Sequence, residues 1–226
     1  MKIIAIALVF FSLSVCASPH RIIVIRHGEE PANNKANEVA YADSGPAFVQ
    51  GLSATGQRRA AYLLGYFLGL PGKQDPLFPD MVSKDPSVKP IHPITFIGAY
   101  STENGRGTFR PVETIAPLAS VINVDEAPID VYDYAPATVK QYSAKQKKEL
   151  KEVVDQQEHT VVLCWESNDI PLLIPALEPR ITSDPTFQKT FPNGRFPSDY
   201  PYNLIFVITY DDGAPSFNVY QQEQHP

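Results

Sequence analysis

The sequence predicts an α/β domain, a three-layer α/β/α arrangement around a mostly parallel central sheet. Three observations lead there. Short runs rich in apolar and β-branched residues, at 22–26, 94–100 and 160–165, read as strands buried on both faces. Stretches between them, such as 52–67 and 138–158, repeat apolar residues at helical spacing. Strands alternating with helices imply parallel strands joined by helices that cover both faces of the sheet.

The composition fits one such domain. The 226 residues are 43% hydrophobic and 19% charged, enough for a sizeable core, and no linker divides them. The 22 prolines are about double the usual share and predict long, stiffened loops. A net charge of −6, with no strongly basic stretch, leaves no nucleic-acid footprint. An anionic ligand would therefore need a locally positive site.

Residues 1–17 read as a secretory signal peptide. Lys2 precedes an apolar run from Ile3 to Val15, and small residues follow. The run is short for a membrane span. A cut near Ala17 leaves 18–226 as a single exported domain, periplasmic or secreted. Leu13-Ser14-Val15-Cys16 is also a partial match to a lipoprotein signal, with a lipid anchor at Cys16, although Val before the Cys fits poorly. Cleavage leaves Cys164, in V-V-L-C-W, as a lone core thiol, so no disulfide is expected.

The first strand, 22–26, runs directly into Arg26-His27-Gly28-Glu29. Residues 30–50 are polar and mixed, and form a loop expected to rim whatever site starts there. Leu52 opens a helix that Ser53 or Thr55 can cap. Leu52, Gly56, Ala60, Leu63, Leu64 and Phe67 share its buried face, and Pro71-Gly72 ends it. The proline-rich stretch 71–93 reads as a surface insertion. The strand Ile94–Tyr100 leads through a polar loop to Gly107. A helix follows, capped by Thr108, with Arg110 in its first turn and Pro117 bending it or ending it early. A strand at Ile129–Tyr132 and a helix from Thr138 to Glu158 come next. The strand Thr160–Trp165 ends in Glu166-Ser167-Asn168-Asp169, and a short helix to Leu177 begins with Pro171. Phe187, Phe191 and Phe196 mark 179–202 as a packed loop. Leu204–Tyr210 and Phe217–Tyr220 form a hairpin about Asp211-Asp212-Gly213.

In parallel sheets ligands bind at the carboxyl ends of the strands, which sorts the five histidines. His20, His92 and His159 each precede a strand, and His225 lies in the tail; only His27 follows one. His159 reads as a cap at the negative end of the helix before it. The remaining His and Cys are scattered without ligand spacing, so neither a metal nor another cofactor is implied. Three strand ends deliver Arg26 to Glu29, Ser101 to Arg110 and Glu166 to Asp169 to one edge. Arg26 and Arg110 can clamp a tetrahedral phosphoryl group by charge-assisted hydrogen bonds. His27 can attack phosphorus in line, and the helix near Thr108 adds a positive dipole end.

Four blocks carry a resemblance: I-V-I-R-H-G-E, L-S-A-T-G-Q-R-R-A, S-T-E-N-G-R-G-T-F-R-P-V-E-T-I-A-P-L-A and V-V-L-C-W-E-S-N-D-I-P. Together, and in this order, the sequence resembles the histidine phosphatase superfamily, with its phosphoglycerate mutase-like fold. The resemblance spans most of 18–226. It implies that His27 is the phosphoacceptor, that Arg26 and Arg110 hold the phosphate, and that the substrate is a phosphomonoester. One position departs. Related members follow C-W-E with a second catalytic histidine, and this chain has Ser167, which can donate one hydrogen bond but carries no charge. Losing one preorganised donor costs about 100- to 1,000-fold in turnover. For the acid that protonates the leaving group, Asp169, Asp133 and Glu29 are the candidates. Two functions follow: an exported phosphomonoesterase slowed by Ser167, or a pseudo-enzyme that binds a phosphorylated ligand or partner protein without turnover.

Overall fold

The structure, a computed structural model, describes residues 19–30, 49–69, 75–83, 87–100, 107–108, 110–122, 140–142 and 144–222. The segment 1–17 with Cys16, the strand expected at 129–132, Asp133 and His225 lie outside these residues.

Strand β1 (Arg21–Arg26) shows why its sequence lacks polar alternation. Ile22 and Val24 enter one core, Ile23 and Ile25 the other, and all four are buried. Burying each such side chain stabilises the fold by roughly 1.5–3 kcal/mol. The remaining strands are β2 (Val49–Gln50), β3 (Ile94–Tyr100), β4 (Gly107–Thr108), β5 (Lys140–Tyr142), β6 (Thr160–Trp165), β7 (Leu204–Asp211) and β8 (Ala214–Gln221). Six of these form one sheet in the order β5-β3-β6-β1-β7-β8, and β2 pairs with β4 apart from it.

The sheet is mixed, where the sequence predicts a mostly parallel one. β5, β3, β6 and β1 run parallel, while β7 lies antiparallel to β1 and β8 antiparallel to β7. The last connection accounts for the direction of β8. Asp212 and Gly213 adopt φ of 47° and 78°, making a two-residue turn that can join only antiparallel neighbours. Its second strand starts at Ala214, three residues before the expected Phe217. Because β7 is reversed, it begins beside the end of β1, with Ile205 opposite Ile25. The segment in front of it, including Tyr200 and Tyr202, is thereby carried to the carboxyl end of β1.

Helices cover both faces, giving the three layers. α1 (Ala54–Leu68) and α2 (Arg110–Val121) pack Leu63, Phe67, Ile115 and Leu118 against Ile23 and Ile25. On the other face, α3 (Lys147–Val154), α4 (Ile170–Leu177) and α5 (Pro185–Thr190) contribute Leu150, Val154, Leu173 and Phe187 to the core around Ile22 and Val24. Ser53 caps α1, accepting from the Gly56 N–H at 3.0 Å. The helix stops at Gly69 in the left-handed conformation, before Pro71-Gly72. α2 continues past Pro117 to Val121 and is not ended early. The helix expected from Thr138 is shorter than its periodicity suggests: Lys140–Tyr142 pairs with β3, a 3-10 turn follows, and only eight residues are α-helical. Pairing with a sheet edge outweighs local pattern there.

Residues 179–202 are not an open loop. Two 3-10 turns, Pro179–Ser183 and Pro192–Gly194, flank α5. Phe191 packs on Phe187 and Phe206 at ring separations of 5.2 and 5.1 Å. Cys164 is buried, and burial pushes its thiol well above the ordinary range, as befits an inert core thiol. No helix among the described residues is long and apolar enough to cross a membrane.

Asp184 links this segment to the sheet. One carboxylate oxygen accepts from the Thr186 and Phe187 N–H groups at 2.7 and 3.2 Å, the other from Phe217 N–H at 3.2 Å. Asp184→Ala should cost about 1–2 kcal/mol, read as a lower urea midpoint at unchanged slope. An unmoved midpoint would show that this junction adds nothing to global stability.

Candidate active site

The parallel order β3-β6-β1 sets three carboxyl ends side by side. The β1–β6 ladder runs one step past the strand, with the His27 N–H donating to Trp165 O at 3.2 Å. The next turn is fastened from the opposite wall. Gly28 N–H donates to Thr114 Oγ1 at 2.8 Å, and the same hydroxyl donates to Arg110 O at 2.7 Å. Leu52 N–H donates to the Glu113 carboxylate at 2.7 Å, and Ser53 N–H to Glu29 O at 2.9 Å. The first turn of α2 therefore grips both the Arg-His-Gly corner and the start of α1. Gly56 is needed at this junction, because a Cβ there would stand 2.6 Å from Glu29 O. That close approach explains the glycine of L-S-A-T-G.

The His27 ring is buried, with Nδ1 2.8 Å from Gly28 O. A carbonyl oxygen only accepts, so Nδ1 carries the hydrogen and Nε2 the lone pair. Two carboxylates face Nε2. Glu166 Oε2 lies 3.2 Å away without an aligned hydrogen bond, and Glu30 Oε1 lies at 4.0 Å. The same Glu30 oxygen is 2.8 Å from Arg110 Nη1. Arg26 donates to Tyr200 O at 3.1 Å, and its guanidinium lies 3.7 Å from the centre of the Tyr202 ring. Tyr202 in turn meets the His27 ring edge-on at 5.9 Å.

The charges are balanced. Burial by itself would raise the Glu166 carboxyl, but its contact with His27 and the charges of Arg110 and Arg26 outweigh it and hold the group below its ordinary value. Glu166 is thus a carboxylate at rest. With Glu30 on Arg110, two anions offset two guanidiniums, and the positive field that an anionic ligand requires is masked until one carboxylate moves or takes a proton.

The structure brings Arg26, His27 and Arg110 to this one place. Ser167 opens the 3-10 turn Ser167–Asp169 directly after Glu166 and is half-buried. Glu29 is engaged elsewhere, accepting from Arg59 Nε at 2.9 Å. Burial would raise its carboxyl, and the Arg59 hydrogen bonds and charge more than reverse that. Asp169 faces Lys147 at 3.8 Å. Among the described residues, the carboxylates set against His27 are instead Glu166 and Glu30, neither of which the sequence reading selected. Glu166 had a signal: Arg26 pairs with Trp165, so the following residues, His27 and Glu166, fall side by side. That signal needs the knowledge that β1 and β6 are neighbours. Glu30 lies in a loop, where no periodicity identifies a partner.

No protein-family model matches the chain, and no curated protein matches it. Among solved structures it is similar to SixA from Agrobacterium tumefaciens, described as a phosphohistidine phosphatase. The identity is 11% and the TM-score 0.44, over 86% of this chain and 94% of that one. A likeness this weak leaves the functional reading to the residues of the site.

Two outcomes follow. Glu30→Gln removes the anion that occupies Arg110, and should raise affinity for inorganic phosphate about tenfold, or roughly 1.4 kcal/mol, by isothermal titration calorimetry. Unchanged affinity would place phosphate elsewhere. Glu29 has a depressed folded-state pKa, so its contribution to stability is complete above the ordinary 4.5 and is lost as pH falls through the depressed value. Glu29→Gln should therefore flatten the acid limb of the stability–pH curve, and an unaltered limb would remove Glu29 from that role.

Proposed function

We propose that this chain is an exported phosphatase-like protein, an atypical relative of the histidine phosphatases, that hydrolyses a phosphomonoester through a phosphohistidine on His27. The observation that carries this reading is the Glu30 oxygen, 2.8 Å from Arg110 and 4.0 Å from His27 Nε2. An anionic oxygen already rests between the guanidinium and the nucleophile, and a phosphoryl oxygen takes that place when Glu30 swings away. The four ordered sequence blocks support the same reading. The signal-like segment 1–17 supports export.

In this mechanism Arg110 and Arg26 hold the phosphoryl oxygens. The Nε2 lone pair attacks phosphorus opposite the leaving oxygen; the N–P bond forms as the P–O bond breaks. The leaving oxygen takes a proton from Glu166, the carboxyl nearest Nε2. Glu166 is ionised at rest, and the negative charge of an incoming phosphate raises its proton affinity, so it enters the step protonated. Water then attacks phosphorus and returns a proton to Glu166. The N–P bond breaks, and inorganic phosphate leaves with His27 restored. Tyr200 and Tyr202 border the Arg26 side and would meet the organic part of the substrate.

Ser167 favours a second reading. No charged donor stands where related members have their second histidine, and transition-state stabilisation is the term most reduced. On this reading the chain binds a phosphorylated ligand without turnover.

Hydrolysis of p-nitrophenyl phosphate from acid to neutral pH separates the two. Turnover should be abolished in His27→Ala and raised by about 100- to 1,000-fold in Ser167→His. Wild type no faster than His27→Ala, with phosphate binding that still depends on Arg26 and Arg110, would leave the binding role in place of the catalytic one.

A further inference from the structure

The end of the sheet opposite His27 holds a second cluster. His20, His92 and His159 are scattered in sequence, and no ligand spacing marks them. Each stands just before a strand, and β1, β6 and β3 are parallel neighbours whose first residues align: Arg21 with Thr160, and Ile94 with Thr160. The histidines therefore converge. The His20 and His92 rings stack at 3.6 Å, tilted by 4°, and His92 meets His159 at 5.8 Å. His159 is thus part of this cluster rather than a helix cap. Asp80, from the 3-10 turn Pro79–Met81, completes the group with a carboxylate oxygen 4.0 Å from His20 Nε2. Donor atoms of His20, Asp80 and His92 all lie within 4.8 Å of one another.

We propose that His20, Asp80 and His92 bind a divalent transition-metal ion of the zinc class, at a site separate from the His27 pocket. Two imidazoles and a carboxylate suit zinc chemically and leave a coordination position for water. His92 Nδ1 is buried with no hydrogen-bond partner. An orphaned buried polar atom costs about 1–3 kcal/mol, and a nearby cation supplies what such a lone pair lacks. The backbone that carries the donors is pinned. Tyr210 N–H donates to His20 O at 3.1 Å, His92 N–H to Asp80 O at 2.9 Å, and the Thr160 hydroxyl to His92 O at 2.9 Å. Arg21 holds Asp80 through both oxygens, at 3.1 and 2.8 Å, the kind of outer hydrogen bond that orients a ligating carboxylate. The His20 and Asp80 side chains are 31% and 26% exposed, so an ion can reach them. Donors around a tetrahedral zinc stand roughly 3.3 Å apart, so binding draws the group together and fans the stacked rings open. The ion would tie the turn Pro79–Met81 to the starts of β1 and β3.

The test uses the full chain, stripped of metal with a chelator and titrated with zinc at neutral pH by calorimetry. One ion should bind per chain. His20→Gln and His92→Gln should each weaken it at least tenfold, since even outer partners of a metal site are worth 10- to 100-fold. His27→Gln should leave the affinity unchanged. Copper(II) bound to the wild type should show hyperfine coupling to two nitrogens by electron paramagnetic resonance, a readout that holds even if a Gln variant fails to fold. Absence of zinc binding by the folded wild type would overturn the proposal. So would binding that survives both Gln variants, or binding lost in His27→Gln.

Discussion

Six residues of β1, Arg21 to Arg26, pair in parallel with Thr160 to Trp165 of β6. Both strands are buried on both faces, so the pairing cannot slip by one residue without turning a whole apolar set into the wrong core. This register sets what faces what at either end. Past Arg26 and Trp165 it brings His27 beside Glu166; before Arg21 and Thr160 it brings His20 and His159 to the same edge. α2 then completes the upper end, since Thr114 and Glu113 fasten Gly28 and Leu52 and place Arg110 against Glu30.

The electrostatics of the pocket follow from that packing. Arg26 and Arg110 alone would make a strong anion site on an acidic protein. Glu30 and Glu166 cancel it, one by occupying Arg110 and the other by facing His27. Binding must therefore displace or protonate a carboxylate before the arginines become available.

The reversed hairpin near the carboxyl terminus shapes the pocket too. An additional parallel strand would send the preceding loop to the far end of the sheet. Because β7 is antiparallel, the segment anchored by Phe191 and Phe196 ends at Arg26 and supplies Tyr200 and Tyr202. That side of the pocket is thus tied to an aromatic cluster that belongs to the core.

The sequence by itself determined the local elements whose causes are local. β1, β3 and β6 are legible as unbroken apolar runs, α1 from its Ser53 cap and small-residue face, the final turn from Asp-Gly, and His27 from its place after a strand. Arg26 and Arg110 are legible as arginines delivered to the same sheet edge. Only the tertiary structure decided which strands are neighbours and in which direction they run, because pairing is a non-local choice that hydrophobic periodicity does not encode. That choice selected Glu166 and Glu30 over Glu29 and Asp169 as the carboxylates at His27, and turned Lys140–Tyr142 away from the predicted helix into an edge strand. It also gathered His20, Asp80 and His92, residues with no sequence spacing in common, at one end of three adjacent parallel strands.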